Sequence, residues 1–162
     1  MIQKHSFEAV WNENSTILIL GSFPSVKSRE INFFYGHPQN RFWKVLSAVL
    51  EKEIPSSTNG KRTFLLENRI ALFDVIASCD IQGSSDASIK NVIPNDIMPI
   101  LNGAKIKQIF VNGKTAATLY EKHIFKKCGI PAVTLPSTSP ANAAWTLDKL
   151  IEKWGFEIKK YI

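Results

Sequence analysis

Residues 16–21, TILILG, are apolar at four consecutive positions and end on a glycine that is followed by Ser22, Phe23, Pro24 and Ser25. A short apolar run with no alternating polar position, stopped by turn residues, is the pattern of a strand covered on both faces. Three further runs share it: residues 70–76 (IALFDVI), 106–111 (IKQIFV) and 132–135 (AVTL). Helical spacing fills the intervals, over residues 41–50, 114–123 and about 142–154. The last of these aligns Ala144, Leu147, Leu150, Ile151 and Trp154 along one face, with Pro140 as breaker and Asn142 as the expected N-cap. Strands alternating with helices predict one α/β domain over residues 1–162, built on a four-stranded, mostly parallel central sheet. Right-handed crossovers then put helices on both faces.

Composition narrows the function. The chain has 162 residues, 44% of them hydrophobic, and no apolar stretch long enough to span a bilayer. The opening MIQKHSFEAVW has no signal-peptide core, so a cytoplasmic protein without membrane attachment is expected. Cys79 and Cys128 form no CxxC pair, and His5, His37 and His123 show no ligand spacing. The expectation is therefore chemistry without a metal or other cofactor. Lys and Arg outnumber Asp and Glu by 20 to 14, a net charge of +6 that favours a polyanionic partner such as nucleic acid. The lysines are scattered, densest at Lys122, Lys126 and Lys127 and near Lys159 and Lys160, so any DNA contact has to come from the folded surface.

In an open α/β sheet, ligands bind beyond the carboxyl ends of the strands. Three unusual segments fall there: GSFPS after the first run, NGK after the third and LPSTSP after the fourth. The polar segment 80–96 is expected to fold over the same edge. Residues 21–43 crowd Phe33, Phe34, Tyr35, Phe42 and Trp43 around a small-residue turn, one histidine and two amides. Phe33, Phe42 and Trp43 read as core. Asn40 suits either the cap of the following helix or a group that holds water or a base. Asn112 reads as a pocket amide or as the left-handed residue of an Asn-Gly turn, and STSP as a backbone clamp or a hydroxyl-rich turn. Asp74, in an apolar strand, reads as a structural hydrogen-bond acceptor.

The stretch from Tyr35 to Lys44, YGHPQNRFWK, resembles the FAHPxNRFWK segment of mismatch-specific uracil-DNA glycosylases. The ordered set of GSFP, YGHPQNRFW, FDVI, GSSD, ND, NG and LPSTSP is closer to the hypoxanthine-DNA glycosylase branch of the uracil-DNA glycosylase superfamily. The resemblance implies a three-layer α/β/α sandwich and a base pocket formed by Gly21, Ser22, Phe23, Tyr35 and Asn112. It makes Tyr35 the aromatic that stacks on the extruded base and Asn40 the main catalytic side chain. Ser137, Thr138, Ser139 and Pro140 take the place of the loop that grips the DNA backbone and fills the gap left by the flipped nucleotide. Phe23 occupies the slot where the uracil enzymes, with GINPG, carry a water-positioning Asn, and no histidine stands in the second motif. Both departures fit the hypoxanthine branch. Ser25 replaces the glycine usual there.

What the resemblance implies is a monofunctional DNA glycosylase, acting as a monomer on DNA that contains a deaminated base and leaving an abasic site for base excision repair. A uracil-specific enzyme, a lesion-binding protein that does not cleave, and a flavodoxin-like small-molecule binder are the alternatives.

Overall fold

The computed structural model describes residues 2–162. Strand β1 (Ile2–Lys4) precedes β2 (Ile17–Gly21), α1 (Val26–Ile31), α2 (Phe42–Leu50) and α3 (Thr58–Glu67). Then come β3 (Ile70–Asp74), β4 (Ile76–Asp80), a 3-10 turn (Asp86–Ser88), β5 (Lys90–Pro94) and α4 (Met98–Gly103). The remaining elements are β6 (Gln108–Asn112), α5 (Lys114–His123), α6 (Phe125–Cys128), β7 (Ala132–Leu135) and α7 (Leu147–Ile158).

The four apolar runs form one all-parallel sheet in the order β3-β2-β6-β7. Side chains along a strand alternate between its faces, and here both faces are covered. Ile17 and Ile19 of β2 join a core with Phe42 and Leu46 of α2, Leu65 of α3 and Trp154 of α7. Leu18 and Leu20 join a second core with Ile100 of α4 and Ala116 and Tyr120 of α5. Each of these β2 side chains is fully buried, a contribution of about 1.5–3 kcal/mol apiece. The result is the expected α/β/α sandwich.

Three boundaries differ from the sequence reading. The run 70–76 does not continue as one strand. It leaves the parallel sheet after Asp74, and β4 pairs instead with β1 and β5 in a separate antiparallel sheet, β1-β4-β5. Asn95 holds the break: its Nδ2 donates to the carbonyls of Asp74 and Ile76, and its backbone N–H to Val75. The segment 80–96 is consequently not all loop, since it contains β5. The last helix starts at Leu147, five residues later than expected, capped by Thr146, whose Oγ1 accepts from the Lys149 N–H. Asn142 is drawn elsewhere, because its Nδ2 donates to the Ser137 carbonyl.

Candidate active site

A cavity of about 510 Å³ opens at the carboxyl ends of β2, β3 and β6. All ten residues expected to form the site line it: Gly21, Ser22, Phe23, Tyr35, Asn40, Asn112, Ser137, Thr138, Ser139 and Pro140. Segment 84–87 closes the same edge, as anticipated.

One wall is a connected chain of amides and hydroxyls. Thr138, fully buried, donates from Oγ1 to Asn40 Oδ1 at 2.9 Å. Asn112 Nδ2 donates to Thr138 Oγ1 at 3.0 Å and to Tyr35 Oη at 3.1 Å, while Asn112 Oδ1 accepts from the Thr138 N–H. Asn40 Oδ1 also accepts from the Phe42 N–H at 2.9 Å, so Asn40 both opens α2 and belongs to the cavity. With Oδ1 occupied twice, its Nδ2 is the open end, and no acceptor for it stands among the described residues. Asn112 is the last residue of β6; the left-handed member of the Asn-Gly pair is Gly113, at φ 97°.

Tyr35 is held in the left-handed region at φ 52°, a conformation that costs a non-glycine residue about 1–3 kcal/mol. Its surroundings enforce it. The ring stacks on Phe42 with centroids 4.0 Å apart, Asn112 holds its hydroxyl, and the N–H of Gly36 is taken by the buried Ser28 Oγ. Burial, with the Asp74 carboxylate adding to it, keeps the Tyr35 phenol well above its ordinary pKa, so it stays a neutral hydroxyl. Gly21 is required by close approach. A Cβ there would lie 2.6 Å from Asp74 Oδ1 and 3.0 Å from Tyr35 Oη. Ser25, the departure from the branch pattern, caps α1 by accepting from the Ser28 N–H.

A second part of the lining carries carboxylates. Asp74, 4% exposed, receives a 2.8 Å hydrogen bond from His5 Nε2 on its Oδ2. The two side chains are 3% and 6% exposed, a buried pair drawn from positions 69 residues apart. Phe7, Phe73, Phe34 and Phe23 surround the His5 ring at centroid distances of 4.4–6.3 Å. His5 Nδ1 is buried without a hydrogen-bond partner among the described residues. Asp74 Oδ1 lines the cavity beside Gly21, and no donor to it stands among the described residues. Asp86 sits at the mouth, with one oxygen accepting from Ser22 Oγ at 3.2 Å. Protein crowds it on the inner side while its outer surface stays open. That desolvation raises its pKa, and the nearby Asp74 charge acts in the same direction.

The sequence reading missed His5, whose partner is visible only in three dimensions, and Arg41, which it took as an ordinary helical residue. The Arg41 guanidinium donates to the carbonyls of Thr138, Ser139, Asn142 and Trp145, fastening the Ser137–Pro140 motif to the segment that carries Asn40. Asp74 does act as a hydrogen-bond acceptor, and it also faces the cavity. No lysine lines the cavity among the described residues, and no cluster of three or more His, Cys, Asp or Glu side chains could hold a metal there.

Comparison with known proteins names the class to which this fold and cavity belong. Residues 9–156 match the uracil DNA glycosylase superfamily, and the chain belongs to that family of DNA glycosylases. It is 33% identical over 148 residues to a hypoxanthine DNA glycosylase of Methanosarcina acetivorans, covering 90% of this chain and 92% of the relative. A hypoxanthine DNA glycosylase of Methanosarcina barkeri is 34% identical over 143 residues, 87% of this chain and 89% of the relative. A solution NMR structure of a Methanosarcina acetivorans protein, described as a candidate uracil DNA glycosylase, superposes with a TM-score of 0.83 at 32% identity. That match covers 99% of this chain and 98% of the other. No helix among the described residues is long and apolar enough to cross a membrane.

Proposed function

We propose that residues 1–162 act as a monofunctional DNA glycosylase domain, a cytoplasmic monomer that extrudes a deaminated base, foremost hypoxanthine, and hydrolyses its N-glycosidic bond in base excision repair. The observation that carries this reading is the pair of open groups in the cavity. Asn40 Nδ2 is a donor and Asp74 Oδ1 an acceptor, each fixed by buried partners. Deamination of adenine replaces an amino group and a lone-pair ring nitrogen with a carbonyl and a ring N–H. That lactam edge offers one acceptor and one donor, the complement of Asn40 and Asp74. Adenine would set its N1 lone pair against the carboxylate, leaving a buried acceptor unmatched.

A base within a duplex is out of reach, so the nucleotide is extruded first, at a cost of a few kcal/mol that falls for a poorly paired base. The ring face of Tyr35 away from Phe42 is the surface on which the base stacks. Ser137, Thr138, Ser139 and Pro140 grip the strand and fill the vacated gap. The bond from C1′ to the base then breaks with its electron pair going to the base, leaving positive charge on the sugar that the DNA phosphates stabilise. Asn40 Nδ2 donates to the base oxygen, where negative charge grows, from a position already fixed by Thr138 and Phe42. Water bonds to C1′ and loses a proton, and the base gains one. No lysine lines the cavity among the described residues, which supports a mechanism without a Schiff base or strand nicking.

The test is base release from duplexes carrying hypoxanthine, uracil or adenine, with and without alkali to cleave abasic sites. Hypoxanthine release that needs alkali and falls about 10²–10³-fold in Asn40→Ala, with DNA binding retained, is the expected outcome. Release of uracil alone would overturn the substrate assignment. Asp74→Asn should relax discrimination against adenine, and unchanged discrimination would remove Asp74 from base recognition.

A further inference from the structure

Beside the cavity runs a groove between β5 and α5, lined by Lys90 on one side and by Lys114, Thr118 and Lys122 on the other. The last three recur every four residues, so they form one stripe along α5. Lys114 and Lys122 stand about 12 Å apart along the helix axis, a span of roughly two to three phosphates along the backbone of one DNA strand. Asp86 lines both the groove and the cavity, making the two continuous.

The charges of this groove are arranged differently from those at the C-terminal end of α7. Lys153 on α7 and Lys160 just beyond its end both pair with Glu157, at 3.3 and 3.7 Å. Lys114 and Lys122 have no such partner among the described residues, while Lys90 stands opposite Asp80 in the β4–β5 pairing. Lys114 also occupies the first residue of α5, where the helix dipole disfavours a cation, so helix stability does not account for it. Burial, and after it the charges of Lys122 and Lys127, hold the His123 imidazole below its ordinary pKa. At neutral pH the positive charge of the groove is therefore carried by the lysines. Asp86, the carboxylate lining the groove, is engaged by Ser22 at the cavity end.

We infer that this groove carries the phosphate backbone of the DNA strand whose base enters the cavity. The strand would run from the Ser137–Pro140 loop across the cavity mouth and along α5, leaving the α7 face free. Each phosphate neutralised releases counterions and contributes about 0.9 to the slope of log affinity against log salt. The inference rests on the glycosylase reading only in assuming that the bound polyanion is DNA.

The experiment compares Lys90→Gln/Lys114→Gln/Lys122→Gln with the charge-matched Lys149→Gln/Lys153→Gln/Lys160→Gln. Binding to an undamaged duplex is measured by fluorescence anisotropy across a salt series. The groove variant should bind roughly tenfold or more weakly at moderate salt, with a slope shallower by about 2–3, while the α7 variant stays near wild type. Lys122→Gln alone, at an exposed position, should lose about one unit of slope and serves if the triple variant folds poorly. Equal losses in both triple variants, or no change of slope in the groove variant, would overturn the inference. Base release by the wild-type protein is followed in parallel. Wild type that binds with the expected slope yet releases no base would sink the glycosylase reading and leave the groove standing.

Discussion

The two walls of the cavity are assembled on different principles. The amide wall, Tyr35, Asn40, Asn112 and Thr138, is polar throughout, and its members satisfy one another within two compact motifs and one strand end. The carboxylate wall takes His5, Ser22, Asp74 and Asp86 from four separate stretches and sets its central pair in an aromatic enclosure. In this polar network a member that loses one hydrogen bond keeps another, whereas a buried pair in apolar surroundings fails as a unit when one partner is removed. The amide wall should therefore tolerate substitution in stability and show it in rate. The carboxylate wall should do the reverse.

The largest expected effect is His5→Phe. The ring fits among its aromatic neighbours but strands Asp74, and a urea titration should show about 3–5 kcal/mol of lost stability. A loss under 1 kcal/mol would break the contrast. Thr138→Val comes next. It keeps the shape but deletes the hydroxyl between Asn112 and Asn40, loosening the Asn40 amide. Base release under saturating substrate should slow roughly tenfold, the scale of about 1.4 kcal/mol, with little change in denaturation midpoint. A variant that unfolds early but turns over normally would invert the comparison.

Asp86→Asn is the mildest. Its raised pKa means that the folded protein prefers the protonated acid, so ionised Asp86 opposes folding. That cost is absent below the ordinary carboxylate range, grows as pH rises to the elevated folded value, and is constant above it. The asparagine variant, which still accepts from Ser22, should match the wild-type melting temperature in acid and exceed it slightly at neutral pH. A wild-type protein that stays the more stable at neutral pH would exclude a desolvated carboxylate at the mouth.

The same contrast explains what the sequence disclosed. The amide wall was legible because its members sit at strand ends or in local motifs, where residue type and spacing carry the meaning. The parallel sheet was legible because a strand buried on both faces leaves an unbroken apolar run. The His5–Asp74 pair was not, since no periodicity links positions 69 apart. The departure of β4 from the sheet was hidden for a similar reason. It is made by Asn95, more than twenty residues downstream of the Asp74 carbonyl it holds, and the sequence 70–76 returns to apolar residues immediately after Asp74. Arg41 was hidden because its role lies in carbonyl oxygens, which no side-chain pattern records.

That arginine has a consequence for anyone recombining enzymes of this kind. The loop from Ser137 to Trp145 takes its shape from the flat fork of a guanidinium that spans four carbonyls, which a lysine's single ammonium could not do. The two motifs are thus one cassette written in two places. Exchanging the second without an arginine waiting beside Asn40 would transplant the letters and lose the fold of the word.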